Sequence, residues 1–337
     1  MANLTVSAVC NQRCAYCFTF DHLGRPGDGP RPLARRGFLP VHSFQDRLDF
    51  LARSGIDEVR LLGGEPTLHP QFAELVGRAV GAGRRVVVFS NGLMPDKAVA
   101  CLEALAPNVC TVLVNVTRPP AGGEDAILHR QRETMVRLGP RVVPGLTIYQ
   151  VDLRTEYLLP LIAETGCKPI LRLGMAQPCL SGNNQYIHPH QYRAVAIQVL
   201  RLARVAAEAS VSLDVDCGFV RCMFSDADLE ALEETRAKMS WRCSPILDVD
   251  LEGQVIHCYP LSQLARLPLT TAADAAGLQS AFEARTRHFR QAGVFKECSA
   301  CAFKSHGECP GGCLATTIRR FRHAPLHMKM RGLEVSA

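Results

Sequence analysis

The sequence predicts an α/β protein, a parallel sheet with crossover helices followed by a cysteine-rich C-terminal region. Three observations carry this. From Leu4 to about Val215, short apolar β-type runs alternate with amphipathic helical runs, the pattern of parallel strands joined by helices. The length, 337 residues, suits two domains, or one α/β barrel with an appendage. Past Val215 the alternation stops, and eight of the fifteen cysteines fall between Cys217 and Cys313.

Six strand–helix units can be read in order. The strands are Leu4–Cys10, Glu58–Gly63, Arg85–Ser90, Cys110–Val116, Leu146–Val151 and Ile170–Gly174, each apolar enough for burial on both faces. The helix after the first strand carries Phe44, Leu48 and Leu51 and stops at Gly55. The next has Pro70 in its first turn, Phe72, Leu75, Val76, Ala79 and Val80 at helical spacing, and Gly83 as its stop. Leu158, Leu161 and Ile162 repeat the pattern before Gly166, and a longer helix runs over His188–Ser210 before a further short strand at Val211–Val215. In such arrays the chemistry sits where the strands end and the βα loops begin.

Composition excludes several classes. No apolar run approaches a membrane span, and Met1–Val9 lacks the features of a signal peptide, so a cytoplasmic protein is expected. Net charge is +6, from 38 basic and 32 acidic residues, too weak an excess to argue for nucleic acid. An odd number of cysteines in a reducing compartment reads as thiols, and their clustering points to metal. Cys101, Cys110 and Cys167 lie on helix and strand patterns, where a free cysteine behaves as a small hydrophobe. Cys179 follows the sixth strand on the reactive face, a candidate hydrogen-atom donor or acceptor with a structural role as the alternative.

The first cluster is Cys10-Asn11-Gln12-Arg13-Cys14-Ala15-Tyr16-Cys17, leaving the first strand. Three thiolates can hold three irons of a cubane and leave the fourth open, where a closed [4Fe–4S] site takes four; a zinc site finished by a distant residue is the alternative. The second strand ends in Gly63-Gly64-Glu65-Pro66 at the same end of the sheet, its glycines suited to close approach by a ligand. With both motifs present, the sequence resembles the radical S-adenosylmethionine (SAM) superfamily. The resemblance implies a partial (β/α)6 TIM-like barrel over 1–215, whose open iron binds the amino and carboxylate groups of SAM. It matches Gly63, Gly64, Glu65 and Pro66 to the segment that holds the SAM amino group and Tyr16 to an aromatic position near the adenine. Ser90 and Asn91, in Ser90-Asn91-Gly92, match a segment near the ribose and methionine, and Asn115 and Arg172 are polar candidates on the fourth and sixth strands. For Arg172 a surface ion pair is the alternative. A Gly/Pro/Arg-rich stretch, His22–Pro32, is either a flap over the cluster or a disordered excursion.

In the C-terminal region, two β-prone runs flank a turn near Glu252-Gly253, a hairpin that brings Cys243 and Cys258 together. Cys298-x2-Cys301 and Cys309-x3-Cys313 are metal spacings that suit zinc or iron–sulfur. Here the sequence resembles the SPASM extension of radical SAM enzymes, over 216–325 with a tail at 326–337. That implies two auxiliary [4Fe–4S] clusters, Cys243, Cys258 and Cys313 matching ligands of the first and Cys298, Cys301 and Cys309 of the second. The gap between Cys301 and Cys309 is longer than the usual pattern, and no cysteine follows Cys313 to complete the second cluster. Cys222 is favoured to complete the first. The second would then need Cys217, a ligand such as His306 or Glu308, or an open iron.

The resemblance implies reductive cleavage of SAM, fed by an electron donor such as flavodoxin or ferredoxin, hydrogen abstraction by a 5′-deoxyadenosyl radical, and net oxidation with the auxiliary clusters on the electron path away from the substrate. A peptide or protein substrate, oxidised or cross-linked, is the leading expectation. Small-molecule dehydrogenation and sulfatase-type formylglycine formation are alternatives, the latter weakened by Tyr259 where an acidic general base is expected. A zinc protein without radical chemistry is the alternative from another class. Cys10 comes so early that no leader-binding domain is expected before the barrel. Asp248, Asp250 and His257 read as a solvated hairpin, and Arg319–Arg331 as a basic segment that either meets an acidic chain or is a solvated face.

Overall fold

The computed structural model describes residues 1–19, 37–117, 124–180, 184–235, 237–243 and 245–322. Six strand–helix units follow one another: β1 (Ala2–Ser7), α1 (Val41–Arg53), β2 (Glu58–Gly63), α2 (Phe72–Gly81), β3 (Arg85–Ser90), α3 (Asp96–Glu103), β4 (Cys110–Asn115), α4 (Glu124–Leu138), β5 (Val142–Ile148), α5 (Leu158–Thr165), β6 (Ile170–Met175) and α6 (Tyr192–Glu208). The strands lie side by side in chain order, all parallel, and β7 (Ser212–Val215) and the two-residue β8 (Ala237–Lys238) extend the row. The sheet curves as a partial barrel and does not close.

Two-residue alternation assigns the faces. Ala2, Leu4 and Val6 of β1, Val112 and Val114 of β4, and Leu171 and Leu173 of β6 are fully buried in the main core, with Phe44, Leu51, Leu75, Met135, Leu161 and Val195 of the helices. The opposite face carries Asn115, Thr147 and Arg172, all partly accessible. That face looks into the open barrel.

Two strands differ from expectation by more than one residue. β1 ends at Ser7 rather than Cys10, because its pairing with β2 shifts register between Thr5 and Ser7. β5 begins at Val142 rather than Leu146; Pro144-Gly145 reads as punctuation but lies inside the strand. The Val142 carbonyl accepts from Lys168 on the β6 side while that of Gly145 accepts from Val116. Pro144 therefore turns its missing N–H toward β6, where that ladder only starts at Gly145.

The C-terminal region adds α7 (Asp226–Glu233), β9 (Leu247–Val249), β10 (Gln254–His257), β11 (Arg266–Pro268), α8 (Ala275–Ala292), α9 (Ala302–Ser305) and α10 (Leu314–Arg322). The expected hairpin is β9–β10, with Gly253 at positive φ in its turn. Its position is new: β9 pairs in parallel with β1, Ala2 opposite Leu247 and Leu4 opposite Val249, making one sheet of eleven strands. The expectation of a solvated hairpin is therefore wrong, since docking on β1 buries Asp248, Asp250 and His257 to 3%, 7% and 1% exposure.

Arg47 of α1 fastens this junction. Its buried guanidinium donates to the carbonyls of Asp250 (2.7 Å), Leu251 (3.0 Å) and Ser43 (2.8 Å). Hydrogen bonds from a buried charge contribute more than neutral ones, and deletion strands their acceptors. Arg47→Met is expected to lower unfolding free energy by about 3 kcal/mol, read as a lower urea midpoint.

Among the described residues no helix is long and apolar enough to cross a membrane. The His22–Pro32 stretch, the tail at 326–337 and the part of the basic segment past Arg322 lie outside the described residues.

Candidate active site

The thiols of Cys10, Cys14 and Cys17 gather at the C-terminal end of β1, close enough that ionising one disfavours the others. Burial pushes the Cys10 thiol up, and burial with the neighbouring Cys17 pushes Cys14 up to about 12. A bound cation reverses this cost, because a metal makes the thiolate the favoured form. Short contacts hold the loop in shape: Cys17 N–H donates to the Cys14 carbonyl (3.1 Å), Gln12 N–H to Cys10 Sγ (3.4 Å), and Thr19 Oγ1 lies 3.2 Å from Cys17 Sγ.

Gly63 and Gly64 owe their identity to this loop. A β-carbon on Gly63 would stand 2.3 Å from the Ser7 carbonyl oxygen, and one on Gly64 2.5 Å from that of Val9 and 2.8 Å from Cys10 Cβ. In their place the Gly64 and Glu65 N–H groups donate to the Ser7 and Val9 carbonyls at 2.9 and 2.8 Å. The close approach expected of a ligand is thus made by the chain's own backbone, and it fixes where Cys10 emerges.

Glu65 is fully buried and acts as a bracket. Its carboxylate accepts from Thr67 Oγ1 (2.6 Å) and N–H (3.2 Å), Ser90 Oγ (3.0 Å) and Asn91 N–H (2.8 Å), tying the end of β2 to that of β3. Burial still raises its pKa against these four donors. Pro66 is buried and opens the 3-10 turn Pro66–Leu68. Asn91 turns its amide toward Cys10 Sγ (3.8 Å) and donates to Asn11 Oδ1 (2.8 Å), so the third strand reaches the thiols through one side chain.

Tyr16 lies against Tyr149, ring centroids 4.8 Å apart, with its hydroxyl 3.3 Å from Asn115 Nδ2. The structure thereby brings together two residues nominated separately. Arg172 makes an ion pair with Asp216 and lies over Phe89, 5.8 Å from the ring centroid, the ion-pair alternative weighed from sequence. Cys110 and Cys167 are buried and Cys101 half-buried, as expected of core cysteines. Cys179 is buried; its thiol donates to the Phe18 carbonyl (3.4 Å) and is close enough to raise the pKa of Cys258. It therefore sits between the first thiol loop and the C-terminal cysteines.

Those cysteines form two groups. Cys243 and Cys313 hydrogen-bond to each other, the proton favouring Cys313 because Arg290 and the Leu314 N–H stabilise Cys243 as the anion. Cys258 and Cys217 complete the group, each disfavoured as an anion by burial of its thiol first and then by its neighbours. As a whole residue Cys217 is exposed to solvent. Cys222 belongs with Cys298, Cys301 and Cys309, whose proximity together with burial pushes it up to about 11. From sequence Cys222 is favoured for the first group, with Cys217, His306, Glu308 or an open iron left for the second; in the fold Cys222 lies instead beside Cys298, Cys301 and Cys309. Four residues separate the pair, and the turn at Gly218 and the 3-10 turn over Arg221–Met223 carry the second thiol away from the first group. A cavity of about 900 Å³ lies between the groups, lined by Cys243 and Cys309 with Trp241, Arg242, Arg290 and Lys304.

Among the described residues no three His, Cys, Asp or Glu side chains converge closely enough for a single metal ion. One zinc draws its ligands within about 2.3 Å of one point, whereas the thiolates of a cubane bind separate irons and stand further apart.

Residues 4–121 match the family model of the Radical SAM superfamily. This part of the chain is a radical SAM domain. The fold of the whole chain is similar to that of solved structures at low identity. Streptococcus suis SuiB bound to precursor peptide SuiA superimposes with TM-score 0.64 at 14% identity, over 94% of this chain and 72% of that one. SuiB bound to S-adenosylmethionine gives 0.63 at 14% identity, over 94% and 74%. The anSMEcpe enzyme with bound AdoMet gives 0.59 at 14% identity, over 96% and 95%. The radical SAM domain accounts for β1–β4 and the thiol loop, and the structural likeness runs past it into the C-terminal region.

Two residues of the site escaped the sequence reading. Gln131 of α4 donates to the carbonyls of Asn91 (2.7 Å) and Asn115 (3.1 Å), bridging the ends of β3 and β4. Tyr259 pairs its hydroxyl with Thr5 and lies against Phe18, joining the hairpin to β1 beside the thiol loop. A lone Gln in a polar helix gives no signal, and Tyr259 was weighed only as a missing acid.

Proposed function

We propose that this chain is a radical SAM enzyme that acts on a peptide or protein side chain and gives an oxidised or cross-linked product. The observation that carries the reading is the gathering of Cys10, Cys14 and Cys17 against the Gly63–Glu65 turn and Asn91 at the C-terminal ends of β1–β3. Three buried thiols that disfavour one another's ionisation fit a [4Fe–4S] cluster with one iron left for SAM. Held by Cys10, Cys14 and Cys17, such a cluster would supply the electron for reductive cleavage of SAM and so for hydrogen abstraction from a C–H bond.

The chain's own part is placement. The Ser7 and Val9 carbonyls lock the Gly63–Glu65 turn under Cys10, Glu65 fixes the Ser90-Asn91 turn beside it, and Tyr16 with Asn115 walls the barrel mouth on the β4 side. The two C-terminal thiol groups fit auxiliary clusters that would take the electron released as the substrate radical is oxidised and pass it to an acceptor, while a donor of the flavodoxin or ferredoxin kind would reduce the SAM-cleaving cluster. The likeness to SuiB bound to a precursor peptide supports a peptide substrate. Fifteen thiols and no disulfide among the described residues suit the reducing cytoplasm.

The test follows hydrogen. Candidate peptides deuterated at side-chain carbons are expected to transfer label to 5′-deoxyadenosine and to change mass. If they do neither while a small metabolite does both, the substrate is a small molecule. For the clusters, Cys10/Cys14/Cys17→Ala in combination is expected to retain about eight irons with acid-labile sulfide; colourless protein with zinc would overturn the auxiliary reading.

A further inference from the structure

We propose that Cys222 is the fourth ligand of the second auxiliary cluster, so that Cys222, Cys298, Cys301 and Cys309 form a complete four-thiolate site. The inference rests on the auxiliary-cluster reading above and goes beyond it, because it names the fourth ligand that the reading leaves open.

The geometry comes from the packing of the Val220–Cys222 turn. Arg221 lays its guanidinium on the Phe303 ring, 3.8 Å from the centroid, and Phe303 follows Cys301 by two residues. The Phe303 carbonyl in turn accepts the Cys309 N–H at 3.1 Å. On the other side of the turn, Val220 packs on the loop after Cys309: a β-carbon on Gly312 would stand 3.0 Å from Val220 Cγ1. The same loop is held to the Cys298 segment by the Val294 N–H on the Gly311 carbonyl, 2.8 Å. The residue before Cys222 and the one before that are thus fixed against the segments bearing Cys301 and Cys309.

The other candidate ligands face away. His306 and Glu308 pair with each other at 3.7 Å with side chains 69% and 52% exposed. Cys217 faces Cys243, Cys258 and Cys313. The short stretch from Cys217 to Cys222 would then ligate both clusters, one from each end, a covalent bridge of four intervening residues between them.

The test uses the full chain with Cys10, Cys14 and Cys17 replaced by alanine, reconstituted anaerobically and read by iron count, Mössbauer and EPR spectra. Cys301→Ala marks the spectrum of the second cluster and Cys258→Ala that of the first. Cys222→Ala is expected to reproduce the Cys301→Ala change, with loss of about one iron and a three-iron EPR signal on mild oxidation. Cys222→Ser, which keeps an oxygen ligand, is expected to restore the fourth iron with a shifted signal. Cys217→Ala is expected to reproduce the Cys258→Ala change instead. The proposal is overturned if Cys222→Ala leaves the second-cluster spectrum intact, if Cys217→Ala is what perturbs it, or if Cys222→Ala loses both clusters and Cys222→Ser recovers neither. If the parent protein binds no iron, the auxiliary-cluster reading itself fails, a result distinct from all three.

Discussion

Cys14→Ala is expected to abolish formation of 5′-deoxyadenosine under strong reduction while sparing the C-terminal thiol groups. Cys14 is the middle thiol of the loop, feels the charge of both Cys10 and Cys17, and contacts Tyr16. Removing it leaves two thiols, too few to hold three irons and keep a fourth open. Cys179 gives its thiol to the Phe18 carbonyl and lies toward Cys258. Reconstituted protein should fall from about twelve irons to about eight, with activity at background. Turnover at a tenth of wild type or more would show that the loop is not the SAM-cleaving site.

Gly64→Ala is expected to be nearly as damaging without touching a thiol. The added methyl must find room within 2.5 Å of the Val9 carbonyl oxygen and 2.8 Å of Cys10 Cβ, distances that backbone cannot give without moving the loop. Overpacking of this kind costs about 1–3 kcal/mol in stability. The larger effect is on function, since displacing the Val9–Cys10 backbone also breaks the Glu65 N–H bond that sets the turn. SAM cleavage should drop at least about a hundredfold, a displacement of about 1 Å at a reacting centre being enough for that. Gly77→Ala is the matched control. It lies within α2 with open space around its would-be β-carbon, and alanine there should leave activity unchanged and raise stability slightly. If Gly64→Ala keeps wild-type turnover, Cys10 is not positioned by this contact.

Period and punctuation made the barrel legible. Apolar runs bounded by Gly55, Gly83 and Gly166 located β2, β3, α1, α2 and α5, because burial on both faces and a left-handed helix stop are local demands. The thiol loop was legible for the same reason, with all three cysteines inside eight residues. What escaped depends on contacts distant in sequence. Nothing in Leu247–Val249 says that β9 pairs with β1, some 245 residues away, and so Asp248 read as solvated when it is buried against Asn3. The partition of Cys217 and Cys222 turned on the path of one short turn. Composition is blind to that, since both cysteines lie upstream of Cys243 and of Cys298 with nothing in their spacing to favour one group. The role of Glu65 likewise appears only once Ser90 and Asn91 are seen to share its carboxylate.

A row of eleven strands that does not close has two ends, and each end is an invitation to another chain. Here both are blunted. β8 is two residues long and carries Lys238, while β11 is three residues long and finishes on Pro268, which has no N–H to offer. A second copy arriving at either end would find room for a hydrogen bond or two and then a charge or a proline. Self-association by lengthening the sheet is therefore disfavoured, even though the long parallel array between those ends is rich in valine and leucine. Crowded or partly unloaded protein should resist edge-to-edge growth, and dimers, where they form, should meet through helices and loops.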